Sequence, residues 1–173
     1  MITTKKVALA GLLSALGVVI SPYLWFPFLA SKAYPGQHMI NAVAGVLLGP
    51  WWASLIAVIV GTIRISLGVG TIYAYPGGIP GAIVVGGVAW LLRRLNWKHI
   101  EVAALFEPLG TVLIGGTISV YIFAPMLGHV KMMWALIPIW GCWAISSVPG
   151  CVIGYFVLLG LKKVGITWKT LSE

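Results

Sequence analysis

The chain has 173 residues, of which 60% are hydrophobic and only 8% charged, with a net charge of +8 and a mean hydropathy of +1.04. Soluble domains carry roughly 25% charged residues, so this composition excludes water as the main solvent of the surface and points to a lipid bilayer. The excess of positive charge does not indicate nucleic acid, because Lys and Arg stand at the ends of apolar segments and form no basic stripe.

A span of a roughly 30 Å hydrocarbon core takes about 20 apolar residues, which allows five or six short crossings and predicts one membrane domain over residues 1–173. The first apolar segment, 5–21, follows Lys5 and Lys6 as a signal peptide would, but comparable segments recur as far as Gly160. It is therefore read as the first span. Ala8, Gly11 and Ala15 follow 3,4 spacing along it, with Ala10, Ser14 and Gly17 on a neighbouring stripe. Small residues let another helix approach closely, either within the bundle or from a separate subunit. Residues 22–35 (PYLWFPFLASKAYP) follow, and their prolines forbid a regular helix. Their aromatics suit the headgroup boundary or a packed lid.

A short second helix is predicted over 37–49, opening with Gln37, His38 and Asn41. His38 and Asn41 share a face, where they serve either a ligand or the helix end. Gly49-Pro50 leaves almost no loop before the third helix, 51–67, so these two helices are expected to be antiparallel neighbours. Arg64 lies about one turn from the outer end of the third, where a charge faces a cavity, a carboxylate or the interface, or else snorkels to the headgroups. Residues 68–78 (GVGTIYAYPGG) make the next break.

The fourth helix, 78–95, carries Gly78, Ala82 and Gly86 at four-residue spacing, and the fifth, 100–123, carries Thr111, Gly115 and Ser119. Both sets predict tight packing inside the bundle. Glu107 lies a turn or two into the fifth helix, and a carboxylate at that depth calls for a partner or a function. At 100° per residue, Thr111 and Tyr121 fall within about 40° of Glu107, so that face is expected to look inward. Arg64 and Glu107 stand at levels about 10 Å apart, which leaves their pairing open. On the sixth helix, 133–161, Trp140, Trp143 and Ser147 share a face, as an aromatic ligand wall or as packing. Cys142 and Cys151 are about 13 Å apart along the same helix, too far for a disulfide.

With a cytoplasmic N-terminus and six crossings, Lys5, Lys6, Arg93, Arg94, Lys98, Lys162, Lys163 and Lys169 fall inside, and only Lys32 and Lys131 outside. Five crossings would divide the same charges evenly, so the positive-inside rule selects the even number. The expected fold is an all-α membrane protein, a compact bundle of six transmembrane helices with both termini cytoplasmic. The chain has no G-x-x-x-x-G-K-[ST] loop, no C-x-x-C pair and no aspartate, so neither enzymatic chemistry nor a metal or other cofactor is expected.

The stretches Pro35 to Trp51 (PGQHMINAVAGVLLGPW), Arg64, Gly68 to Gly78 and Glu107 to Thr111 (EPLGT) carry a resemblance. The chain resembles the substrate-binding S-components of energy-coupling-factor vitamin importers, most closely the thiazole-related ThiW family, over nearly its whole length. The resemblance implies a prokaryotic cell-membrane subunit that captures hydroxyethylthiazole, a thiamine precursor, or a related small heteroaromatic, near the outer face beneath its loops. It also implies a transmembrane coupling subunit and two ATPase subunits as partners, with Ala8, Ala10, Gly11, Ser14 and Ala15 as the docking surface. Tyr73, Tyr75, Trp140 and Trp143 are the candidates to stack on the ring, and Arg64, His38 and Asn41 to hydrogen-bond it. Gln37, Glu107 and Tyr121 complete the candidate substrate-binding set. At a ceiling of roughly −1.5 kcal/mol per heavy atom, such a ligand of about nine atoms reaches on the order of −13 kcal/mol, so tight binding demands nearly complete burial. The alternative is a self-sufficient secondary transporter or channel, with Glu107 carrying protons and Arg64 as its gate.

Overall fold

The computed structural model describes residues 3–28 and 31–171. Among them are six helices, α1 (Thr4–Ile20), α2 (Pro35–Leu48), α3 (Pro50–Ser66), α4 (Ala74–Arg94), α5 (Ile100–Met126) and α6 (Leu136–Lys163). The connection after α1 is not helical, as its prolines dictate, and it forms a short antiparallel hairpin instead. In it β1 (Phe26–Phe28) pairs with β2 (Ser31–Ala33), Pro27 opposite Lys32. Proline is tolerated there because an edge strand leaves one side without ladder bonds. This hairpin is the one departure from an all-α fold among the described residues; Leu29 and Ala30 of the same connection lie outside them.

Helix α4 begins at Ala74, four residues before the expected start, and takes in Pro76. A proline in the first turn loses no helical hydrogen bond, so it does not delay the start. At the α2–α3 junction Gly49 has φ +90°, a left-handed conformation that favours glycine, and Pro50 then opens α3 with its fixed φ. The two helices fold back on one another, bringing Arg64 near the end of α3 to Gln37 at the start of α2.

Close glycine contacts fix the remaining directions. A Cβ on Gly45 would meet Val85 and the Gly86 amide, and one on Gly154 would meet Ala42, so α4 and α6 run parallel to α2. A Cβ on Gly110 would lie 2.3 Å from the Pro80 carbonyl oxygen and one on Gly115 1.9 Å from that of Pro76. Helix α5 therefore runs antiparallel to α4 at backbone contact distance. Successive helices thus alternate in direction, and the first and last described residues meet. Thr3 Oγ1 donates to the Leu171 carbonyl at 2.9 Å, and Lys5 Nζ to that of Thr170 at 3.2 Å. Lys162 pairs with Glu101 at 2.9 Å, and Arg93 stacks 4.8 Å from the Trp168 ring, at the same end.

The core lies around α2, where twelve residues of the helix are buried, while the bundle's perimeter is apolar. Leu12 is 63% exposed and Phe156 64%, a distribution that water would penalise and lipid does not. Helices α4, α5 and α6 are each long and apolar enough to cross a bilayer, and α3 is a shorter apolar helix. Helix α2, with 14 residues, measures about 21 Å and by itself falls short of a full crossing.

Candidate ligand-binding site

Helix α2 starts at the end of the bundle opposite the termini, and Pro35 in its first turn directs Gln37, His38 and Asn41 into the interior. Gly150 of α6 packs against this turn so closely that a Cβ would lie 2.3 Å from the Pro35 carbonyl oxygen and 2.7 Å from His38 Cβ. That approach brings Ser146 and Ser147 beside α2. Ser146 Oγ accepts from the Tyr34 amide at 2.7 Å, anchoring the end of the hairpin connection to α6.

Between these elements and the α3–α4 connection lies a cavity of about 510 Å³. Tyr34, Gln37, His38, Arg64, Tyr73 and Trp143 line it, with Val69 to Thr71, Thr111, Met132, Ile139, Cys142 and Ser146. A few polar groups among apolar and aromatic walls is the composition of a small-molecule site, and the volume falls within the usual range of about 300–1,000 Å³. At its mouth Tyr73 shares a hydrogen bond of 2.7 Å with His129 Nδ1, and burial holds the Tyr73 phenol above its ordinary pKa.

Arg64 is 2% exposed. Its Nη1 donates to Gln37 Oε1, its guanidinium lies 4.2 Å from the centre of the Tyr34 ring, and its Nε has no partner among the described residues. The guanidinium is stacked on the Tyr34 ring and borders the cavity as a donor-only group, with Nε itself enclosed. It does not pair with Glu107.

Glu107, 0% exposed, stands behind the cavity wall. Its Oε1 receives His38 Nδ1 at 2.9 Å, Asn41 Nδ2 at 3.3 Å and Thr111 Oγ1 at 2.6 Å, and its Oε2 receives Ser147 Oγ. All four neighbours are able to donate, which is the surrounding of an acceptor-only, ionised carboxylate. The donors come from α2, α5 and α6, so the carboxylate ties three helices together directly under the cavity.

The family model described as "Thiamine-precursor transporter protein (ThiW)" matches residues 7–164 of the chain. The chain belongs to the ThiW family. No curated relative and no solved structure matches it.

Of the residues that sequence reasoning proposed as substrate-binding in this ThiW-family protein, Gln37, His38, Arg64, Tyr73 and Trp143 line the cavity. Glu107 and Asn41 do not, and sit one layer below, Asn41 also donating to the Gly78 carbonyl at 3.0 Å. Tyr75 turns to α3, where its hydroxyl bonds Thr62 Oγ1 at 3.0 Å. Trp140 packs against Gly116 of α5, with its Nε1 unpartnered among the described residues. Tyr121 is 61% exposed, so the inward face projected from Glu107 and Thr111 ends before it. The cause is local geometry: α5 widens into π-type turns over Leu109–Gly115 and Ser119–Phe123. Wider turns take more residues per revolution than the α-helical count assumes. The docking stripe divides as well, because Ala10 and Ser14 are buried within the bundle while Ala8, Gly11 and Ala15 are exposed.

Tyr34 and Ser146 escaped sequence reasoning as site residues. Tyr34 was one aromatic among several in the loop, and Ser146 differs from the noted Ser147 by a single 100° step.

Proposed function

We propose that this ThiW-family protein is the substrate-capture subunit of an energy-coupling-factor importer, with hydroxyethylthiazole or a close heteroaromatic relative as its ligand. The observation that carries this reading is the cavity itself, which has aromatic walls, a donor-only guanidinium and an imidazole at its base, at the bundle end opposite both termini. The termini and eight basic residues belong on the cytoplasmic side by the positive-inside rule, which gives a multi-pass chain with its cavity facing outward. Tyr34 and Trp143 flank the ring, Arg64 and His38 bond its polar atoms, and Ala33 with residues 68–73 closes around it.

The exposed Ala8, Gly11 and Ala15 form the surface that meets the coupling subunit. A Cβ on Gly11 would meet nothing within 4 Å, so no neighbour inside the bundle accounts for the glycine there. Transport then requires the coupling subunit and two ATPases, in a prokaryotic membrane, and no bond is made or broken in this chain.

Calorimetry of the purified protein in nanodiscs tests the reading. Hydroxyethylthiazole binds the native chain, and Arg64→Ala and His38→Ala each weaken binding at least about tenfold in a folded protein. Vesicles holding this chain alone show no uptake, and uptake begins only with the partner subunits and ATP. Gradient-driven flux through the chain alone would overturn the reading in favour of a secondary transporter.

A further inference from the structure

His38 lines the cavity and bonds the buried carboxylate, as Thr111 also does, but of the two it alone has a second ring nitrogen to offer. Its Nδ1 lies 2.9 Å from Glu107 Oε1, and the ring lines the cavity. Its Nε2 has no protein partner among the described residues. Around Glu107 the remaining three groups are Asn41 Nδ2, Thr111 Oγ1 and Ser147 Oγ, and each is able to donate, the Thr111 hydroxyl being closer to the carboxylate than to the Gly77 carbonyl. A carboxylate so surrounded has only acceptor capacity to offer, so the proton of the His38–Glu107 bond resides on Nδ1. In a neutral imidazole that leaves Nε2 as a bare lone pair facing the ligand. A second-layer carboxylate fixing the tautomer of a contacting histidine follows the same physics as carboxylate–histidine pairs elsewhere.

The other pole of the chamber has the reverse polarity. Arg64 lines the cavity and has no acceptor lone pairs, so whatever it presents there is a donor. Among the described residues no carboxylate lines the cavity to offset its charge, since Glu107 is fully enclosed by its four donors. The two ends therefore ask different things of a ligand.

We propose that the cavity reads hydrogen-bond polarity: Arg64 donates to an acceptor on the ring, His38 Nε2 accepts from a hydroxyl on the side chain, and Glu107 is the positioning residue that holds His38 in that state. This rests on the capture reading above and adds which atoms of the ligand are discriminated. An uncharged azole with a free hydroxyl satisfies both ends. Capping the hydroxyl leaves Nε2 unpaired, and quaternising the ring nitrogen removes the acceptor while adding a positive charge beside Arg64.

Three ligands decide it on the native protein: hydroxyethylthiazole, its methyl ether, and its N-methyl thiazolium salt. The ether and the thiazolium are each expected to bind about tenfold to a hundredfold more weakly than the parent. Equal affinity for parent and ether overturns the His38 assignment, and equal affinity for parent and thiazolium overturns that of Arg64. Absence of binding by all three defeats the capture reading itself, and this inference with it.

For Glu107, the readout is the ratio of parent to ether affinity in Glu107→Gln. The amide offers His38 both a donor and an acceptor, frees either tautomer, and brings the ratio close to one. A merely structural carboxylate would lower both affinities and keep the ratio, which would overturn the positioning role. Nitrogen-15 spectra of the histidine rings in the liganded native protein give the same answer without a variant. Protonated Nδ1 with bare Nε2 at His38 supports the assignment, and the opposite tautomer or a doubly protonated ring overturns it.

Discussion

Replacing Glu107 with alanine removes the one acceptor on which four side chains from three helices converge. Two of those donors have a second partner within reach: Asn41 lies 3.0 Å from the Gly78 carbonyl and Thr111 3.0 Å from that of Gly77. His38 Nδ1 and Ser147 have no other acceptor among the described residues. A buried donor left without a partner costs about 1–3 kcal/mol, so two of them put the loss at about 2–6 kcal/mol. That range brackets the cost of about 3–5 kcal/mol for breaking a buried ionic pair. Unfolding titrations in mixed micelles, with Glu107→Gln alongside, provide the measurement. The glutamine variant keeps the side-chain volume and one acceptor oxygen and is expected to lose less than the alanine variant. An alanine variant within about 1 kcal/mol of the native protein would refute the reasoning, since the cluster would then hold nothing together.

Gly11→Leu is expected to leave ligand affinity and folding unchanged, because a Cβ there meets nothing within 4 Å, and to block co-purification with the coupling subunit. Gly115→Ala places a Cβ 1.9 Å from the Pro76 carbonyl oxygen, which is backbone and has no rotamer to yield. It should destabilise the protein by about 1–3 kcal/mol or more in the same titrations. Gly87→Ala, with open space around the added methyl, should instead be neutral or stabilising by up to about 1 kcal/mol. Cys142 lines the cavity and Cys151 is buried with its thiol on the Val148 carbonyl, so a small maleimide should label Cys142 first, and saturating hydroxyethylthiazole should slow that labelling. Labelling that ignores the ligand would place the binding site elsewhere.

Much of the architecture was legible in the residues because it depends on local rules. Apolar runs and Gly-Pro punctuation located the six helices to within a few residues, since proline and hydropathy act on the segment that contains them. The clustering of basic residues at segment ends anticipated that both termini and the α4–α5 connection share one end of the bundle, as the Thr3–Leu171 and Lys162–Glu101 contacts place them. Arg64, His38 and Glu107 stood out because polar and charged groups inside apolar segments demand partners wherever the fold puts them.

Which partner each group found was a matter of packing. Glu107 pairs with His38 and not with Arg64 because α6 closes on the first turn of α2, and α5 on α4, at glycine contact distance, which no spacing along a single helix encodes. Of the two small-residue stripes on α1, only the one bearing Ala10, Ser14 and Gly17 turns inward, Gly17 resting against Val60 of α3. Both stripes satisfy the same pattern, so their separation needed the neighbouring helices. Tyr121 points outward because wide turns in α5 spoil a projection made at a uniform 100° per residue. Periodicity sets what each segment is able to bury, and the three-dimensional fit of one helix against the next decides what it does bury.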